Sequence, residues 1–226
     1  IDPGIKIDKD YFVYKEALEK DYFCKRADGP YMKGKVWPGE CNFPDYTNPV
    51  VREWWAGLFK ELISDIGVKG VWNDMNEPAV MEVPNKTFPM DVRHDYDGNP
   101  CSHRKAHNIY GTQMARATYH GVKRFAYPKR PFVITRSAYA GAQRYSSSWT
   151  GDNVASWEHL WIANIQMQRM SISGMGFTGS DIGGFAEQPS GELYARWIQL
   201  GVFHPFCRTH SSGDHGDQEP WAFDEE

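Results

Sequence analysis

What most constrains this chain is an alternation. Short apolar runs take turns with longer segments of helical periodicity, and nearly every apolar run stops at a charged or polar residue. The runs are a strand end and turn at 1–7, then 68–72, 131–135, 145–149, 175–178 and 203–207. Helical segments lie between them at 10–20, 48–66, 102–122, 156–171 and 192–200. The stops are Asp2, Asp74, Arg136, Asp152, Asp181, and last Arg208 with His210. Alternating strand and helix signals imply parallel βα units. A doubly wound sheet gathers its site at one switch point, whereas a βα-barrel draws residues from many strand ends. Six contributing strand ends predict an α/β fold, the (β/α)8 TIM barrel, with strands 3–8 in this chain and two more expected before Ile1. The tail Asp224-Glu225-Glu226 reads as the first turn of a last helix. Residues 1–226 are then one partial barrel, with loop excursions at about 21–48 and 80–102.

The clearest local signal is Asn48-Pro49, an N-cap residue followed by proline at the first helical position. The apolar residues Val51, Trp54, Trp55, Leu58, Phe59, Leu62, Ile63 and Ile66 then recur at intervals of three and four, and Gly67 ends the helix. Trp54, Trp55, Trp161 and Trp197 all stand at helical spacing and are expected in the core.

Composition excludes several classes of function. The 226 residues suffice for one sizeable core. The net charge of −4 and the lack of a basic block exclude nucleic acid as a partner, since phosphates demand a basic footprint. No run of eighteen apolar residues crosses a membrane. Cys24, Cys41, Cys101 and Cys207 have no CxxC spacing, so they read as free and mostly buried thiols. His204, His210, His215 and Cys207 fit no common zinc pattern, and neither a metal nor a cofactor is expected. Nine Trp, twelve Tyr and twelve Phe are a heavy aromatic load, which suits both a packed core and a cleft that holds sugar rings by their C–H faces.

Two acids at strand ends, Asp74 and Asp152, carry the chemistry. Strand ends in a barrel converge on one mouth, and paired carboxyl groups there are what glycoside hydrolysis uses. One attacks or stabilises the anomeric carbon and the other protonates the leaving oxygen; retention asks for a separation of roughly 5–5.5 Å. In Trp149-Thr150-Gly151-Asp152-Asn153 an aromatic wall precedes the acid, and apolar walls raise a carboxyl pKa. Each residue also has a plainer reading: Asp74 as a turn residue, Asp152 as the cap of the following helix, Arg136 as a core-edge ion pair. Arg136 otherwise suits fixing substrate hydroxyls or holding a neighbouring carboxylate ionised.

Trp72-Asn73-Asp74-Met75-Asn76-Glu77-Pro78 resembles the nucleophile signature of the family 31 glycoside hydrolases, the α-glucosidase family. Four further segments resemble that family in the same order: Thr135-Arg136-Ser137 with 140–145, Trp149–Asn153, Asp181-Ile182-Gly183-Gly184-Phe185, and Pro205-Phe206-Cys207-Arg208-Thr209-His210. The resemblance implies a retaining, exo-acting α-glycosidase, most simply an α-glucosidase, acting on α-linked gluco-oligosaccharides through a covalent glycosyl-enzyme. It implies Asp74 as nucleophile and Asp152 as general acid and then base. Arg136, Asp181 and His210 would bind sugar hydroxyls. Trp72, Met75, Trp149 and Phe185 would line the glycone subsite, with Arg208 in support and Trp37 reaching in from its loop. The family's earlier strands carry a further substrate-binding aspartate. The Asp-Met-Asn-Glu-Pro form is more similar to α-glucosidases than to α-xylosidases, whose segment reads Asp-Phe-Gly-Glu.

Other readings stand beside this one. A transglucosidase of the same family would share every motif. Asn76-Glu77-Pro78 alone resembles the acid/base segment of retaining β-glycanases, with Glu77 as acid, but no strand-end Glu follows to act as nucleophile. An inactive truncated or sugar-binding relative would keep the fold without turnover.

Overall fold

The computed structural model describes residues 1–214 and 216–223. Two compact units divide the chain, Ile1–Ser146 and Ser147–Glu226.

The first unit runs β1 (Ile5–Lys6), α1 (Phe12–Glu19), β2 (Lys33–Val36), β3 (Gly39–Asn42), α2 (Pro49–Gly57), β4 (Val71–Asn73), β5 (Arg93–His94), β6 (Cys101–Ser102), α3 (His103–Ala126) and β7 (Val133–Thr135). The stretch from 21 to 48 holds an antiparallel hairpin, β2 with β3, in which Lys33 faces Asn42 and Val36 faces Gly39. On the other side of β3 lies β1, also antiparallel. The run at 1–7 is thus strand only at Ile5–Lys6; ahead of it, the Ile1 carbonyl accepts the Asp74 N–H at 3.2 Å. Between 80 and 102 the chain forms one short antiparallel pair, β5 with β6.

Asn48 caps α2 as its sequence predicts, its side-chain oxygen accepting the Val50 N–H at 2.8 Å, with Pro49 in the first turn. The α-helix ends at Gly57 and the expected continuation to Ile66 takes the form of a π-helical turn at Glu61–Asp65. α2 lies against α3, where a Cβ on Gly121 would stand 2.6 Å from the Ala56 carbonyl oxygen. Only glycine allows so close an approach. Trp55 sits in this contact and donates its indole N–H to Thr118 Oγ1 at 3.0 Å. Tyr46 meets Trp55 and Tyr110 edge-on, with centroids 5.2 and 5.3 Å apart, and Phe43 meets Phe88 at 4.9 Å. Each such pair adds about 0.5–1.5 kcal/mol beyond the area it buries.

β4 and β7 are parallel, with Val71 opposite Val133, Trp72 opposite Ile134 and Asn73 opposite Thr135. Val71, Asn73 and all three β7 residues are buried. This register brings the next residue of each strand, Asp74 and Arg136, to the same edge.

The second unit runs β8 (Ser147–Trp149), α4 (Trp157–Ile172), β9 (Thr178–Gly179), β10 (Asp181–Ile182), α5 (Gly191–Gly201) and β11 (Arg208–Thr209). β8 pairs parallel with β9, Trp149 facing Gly179, and β10 pairs parallel with β11, Asp181 facing Arg208. Ser156 caps α4, its hydroxyl accepting the His159 N–H at 3.2 Å, so Asp152 is not the cap of that helix. The strand expected at 175–178 begins only at Thr178, because the N–H groups of Ser173, Gly174 and Met175 close the end of α4 on carbonyls of Arg169, Met170 and Ser171. The strand expected at 203–207 is displaced for the same reason. Val202, Phe203 and His204 donate to Ile198, Leu200 and Gly201, and the strand is Arg208–Thr209. Trp197 is fully buried and donates to Ser180 Oγ at 3.0 Å. Trp161, expected in the core beside it, is 64% exposed, one turn along the outer face of α4 from Trp157.

The four cysteines are free, with Cys24 and Cys41 buried, Cys101 half-buried and Cys207 exposed. Among the described residues no helix is long and apolar enough to cross a membrane. His215 and the tail at 224–226 lie outside the described residues.

Candidate active site

At the shared edge of β4 and β7, Arg136 holds two carboxylates. Its Nε donates to Glu77 Oε1 at 2.9 Å and its Nη2 to Glu77 Oε2 at 2.8 Å, a bidentate pair. Its Nη1 lies 3.2 Å from Asp74 Oδ1 and its Nη2 3.0 Å from Met75 Sδ. The guanidinium therefore serves as the core-edge ion pair of its plainer reading and also faces Asp74. Asp74 is half-buried, and its Oδ1 also accepts the Met75 N–H at 2.9 Å. Met75 itself takes a positive φ of 55°, which turns the chain sharply off the end of β4.

Asn76 fixes that turn from behind. It is fully buried, donates to Thr135 Oγ1 at 2.8 Å and accepts the Ser137 N–H at 2.9 Å, so one amide ties both strand ends together. α3 comes close enough to back this tie because Gly111 has no side chain; a Cβ there would be 2.7 Å from the Asn76 carbonyl oxygen and 2.8 Å from Ser137. Asp2 joins the cluster as well. Burial pushes its pKa up, and the nearby Asp74 charge adds to the rise. Neither Asn76 nor Asp2 receives a role from the motifs, although Asp2 is legible as a strand-end acid.

In the second unit Asp181, fully buried, accepts from Arg208 Nη2 at 2.6 Å across the β10–β11 register. The Arg208 guanidinium lies 5.6 Å from the centroid of the buried Trp149 ring, within cation–π range. Phe185 and His210 lie ring to ring at 5.2 Å. The loop after Trp149 is tied at Asn153, whose carbonyl accepts the N–H groups of Phe185 at 2.6 Å and Ala186 at 3.0 Å. Gly184 (φ +92°) lets this turn approach, since a Cβ would stand 2.5 Å from Ala155 N. Asp152, between Gly151 and Asn153, is exposed, so the burial against Trp149 that the motif suggests is not seen in the described residues.

The structure thus gathers Asp74, Met75 and Arg136 at one strand edge, next to Trp72 in β4. It gathers Trp149, Asp181, Arg208, Phe185 and His210 in the second unit. Trp37 is 72% exposed at the tip of the β2–β3 hairpin. Among the described residues one grouping has metal-ligating atoms within 4.8 Å of each other, Cys24, Asp45 and His94. The carboxylate of Asp45 already accepts from Thr47 N, Thr47 Oγ1 and Asp95 N, and both ring nitrogens of His94 are in hydrogen bonds. That donor set fits a hydrogen-bonded network better than a cation.

Comparison with known proteins bears on these clusters. Residues 1–226 match the family described as the glycosyl hydrolases family 31 TIM-barrel domain. The chain is 48% identical over 227 residues to alpha-glucosidase 2 of Bacillus thermoamyloliquefaciens, covering all of this chain and 28% of the relative. It is 44% identical over 228 residues to neutral alpha-glucosidase C of Homo sapiens, again over its whole length and 25% of the relative. Among solved structures, a glucosidase II alpha subunit superposes with a TM-score of 0.92 at 40% identity, over all of this chain and 24% of that one. The chain therefore spans about a quarter of the length of the proteins it resembles.

Proposed function

Because this chain belongs to glycosyl hydrolase family 31 and is a stretch of its TIM-barrel domain, we propose that the protein containing it is a retaining, exo-acting α-glucosidase that releases glucose from α-linked oligosaccharides. The observation that carries the proposal is Asp74 at the end of a buried parallel strand, 3.2 Å from an arginine that is itself clamped by Glu77. A carboxylate so placed is held on rigid scaffold with one oxygen oriented by a backbone N–H.

In this reading Asp74 attacks the anomeric carbon while Asp152 protonates the departing oxygen. A covalent glycosyl-enzyme forms, and Asp152, now a carboxylate, takes the proton from the water that hydrolyses it. The two bonds from Arg136 to Glu77 favour an ionised, structural Glu77 over the acid of a β-glycanase. Arg136, Asp181 and His210 bind sugar hydroxyls. Trp72, Met75, Trp149 and Phe185 form apolar walls, Arg208 holds Asp181 in place, and Trp37 contributes from its hairpin. No cofactor or metal enters this reaction.

The test uses the complete enzyme. Asp74→Gly should lower turnover of an aryl α-glucoside by roughly 10⁴-fold or more, and Asp152→Gly by about 10²–10⁴-fold. Azide then separates the roles. Rescued Asp74→Gly should yield the β-glucosyl azide, by direct displacement on the α substrate. Rescued Asp152→Gly should yield the α-glucosyl azide, by displacement on the β-linked intermediate. Substantial activity in Asp74→Gly without azide would sink the nucleophile assignment.

A further inference from the structure

In the second unit, the turn after β10 is gripped from two sides through one peptide plane. The Gly184 carbonyl accepts from Gln218 Nε2 at 3.2 Å, and the N–H of the same peptide unit, that of Phe185, donates to the Asn153 carbonyl at 2.6 Å. Gln218 belongs to the segment after β11, and it is buried. Its own backbone is anchored: the Tyr194 hydroxyl donates to the Gln218 carbonyl, and Phe223 stacks on the Tyr194 ring with centroids 4.4 Å apart. Asn153, at the other end of this row, directly follows Asp152.

That plane needs both grips. Gly184 has a φ of +92° and no side chain, so its own conformation leaves the following peptide free to turn over. A peptide unit is planar, so a bond that fixes its carbonyl also fixes the direction of its N–H. A carbonyl only accepts, so the Gln218 amide must present its NH2 to Gly184. Gly183 clears the space for that amide, since a Cβ on it would stand 2.9 Å from Gln218 Oε1. Neighbouring bonds carry the same connection. The Ala186 N–H joins Phe185 on the Asn153 carbonyl, the Ala155 N–H donates to the Ala186 carbonyl at 2.8 Å, and the Ser212 N–H donates to the Phe185 carbonyl at 2.9 Å. Asp152 therefore stands in a loop that is laced to the turn on its far side. On its near side Gly151, at φ +79°, adds no stiffness.

We propose that Gln218 is a positioning residue for the general acid: through the Gly184–Phe185 peptide it holds Asn153, and with it Asp152, where the leaving oxygen can be protonated. The inference rests on the role given to Asp152 in the α-glucosidase reading. An acid must lie within hydrogen-bond reach of the oxygen it protonates, and a misplacement of about 1 Å costs on the order of 100-fold in rate. Without the Gln218 donor the Gly184–Phe185 peptide loses one of its two grips, and the loop bearing Asp152 loses the rigidity of its far side. Asp74, held by Arg136 and the Met75 N–H, has no part in this row of bonds. The defect falls on proton transfer to the leaving group and leaves the nucleophile in place.

The experiment compares kcat/KM of the complete enzyme and of its Gln218→Met variant, which keeps the side-chain length and loses the N–H donor, on two substrates. Phenyl α-glucoside has a basic leaving group that needs a proton, whereas α-glucosyl fluoride departs with little help from an acid. The expected result is a fall of about 10–100-fold on phenyl α-glucoside, with the rate on the fluoride kept. The kept rate also shows that the variant is folded with its nucleophile in place. Unchanged rates on both substrates overturn the proposal, because the acid is then held without Gln218. Rates that fall together in Gln218→Met and again in Gln218→Leu, through misfolding or otherwise, overturn it too, because Gln218 then serves the fold alone. Failure of the α-glucosidase reading looks different: the wild-type enzyme would hydrolyse neither substrate.

Discussion

Arg136 grips Glu77 through two parallel bonds of 2.9 and 2.8 Å while its third nitrogen faces Asp74 at 3.2 Å. The β4–β7 register sets the two strand-end residues side by side, and the chain then bends through the positive φ of Met75 to return Glu77 to the same guanidinium. Asp74 therefore owes its position to a planar fork that has no freedom to swing, because its other two nitrogens are committed.

That geometry makes lysine a poor substitute for arginine here. A point charge on a flexible stem cannot make the parallel pair to Glu77 and face Asp74 together. Arg136→Lys should lower kcat/KM of the complete enzyme about 100-fold, and Glu77→Gln, which keeps the shape and loses the charge, about tenfold. Steady-state kinetics on an aryl α-glucoside checks both. Equal, near-wild-type values for the two variants would show that the clamp does not position Asp74.

Gly111 and Gly57 give opposite expectations for the same substitution. Gly111→Ala places a methyl 2.7 Å from the Asn76 carbonyl oxygen, so α3 must move off the strand ends at a cost of about 1–3 kcal/mol, with loss of activity. Gly57→Ala meets nothing within 4 Å at the end of α2 and should be neutral or stabilise by about 0.5 kcal/mol. Denaturant unfolding of the two variants, with activity measured alongside, separates them. Equal stability would mean that α3 does not bear on Asn76.

The relation of Asp74 to Arg136 is legible in the sequence because a parallel strand has a fixed repeat, and two apolar runs that stop at charged residues bring those residues to one edge. The displaced strands were illegible for an equally physical reason. Residues 175–177 and 203–206 have apolar content that suits a strand, but the turns closing α4 and α5 reach into both stretches through the N–H groups of Met175, Phe203 and His204. Trp161 is exposed despite its helical spacing, because such spacing marks a face without saying which of two faces is buried. The hydrogen-bonded row from Asp45 through His94 and His103 to His107 is not legible because Asp45, His94 and His103 come from a loop, a two-residue strand and a helix, and only the four-residue step from His103 to His107 is visible as one helix face.

In the second unit, the fully buried Asp181 pairs with the half-buried Arg208, and removing this charge pair should be asymmetric. Asp181→Leu removes the carboxylate that Arg208 Nη2 meets at 2.6 Å and should cost about 1–3 kcal/mol. Replacing both, as Asp181→Leu with Arg208→Met, should recover most of that loss, because two well-packed apolar side chains need no compensation. Sugar binding should fail in both variants. A double variant as unstable as the single one would show that the pair contributes stability beyond mutual compensation, and thermal unfolding reads the difference directly.

The burial of His103 predicts how stability responds to acid. The His103 pKa is about 3 when folded against 6.5 for the free ring, so between those values the unfolded chain binds a proton that the folded one refuses. Stability therefore rises with pH through this window; it is fully present above about 6.5 and lost progressively below it. His120 and His204, both lowered by burial, act in the same direction. Asp45, whose pKa is lowered, would weaken the fold only nearer its unfolded value of 3.8, below the range of interest. Between pH 6.5 and 5 the His103 contribution alone amounts to about 2 kcal/mol. Urea unfolding at pH 7, 6 and 5 should show the midpoint falling at constant slope. In His103→Phe, which cannot titrate, the dependence on pH should flatten even though the variant is less stable throughout. A wild-type midpoint that does not move from pH 7 to 5 would mean that His103 takes up its proton while the protein stays folded.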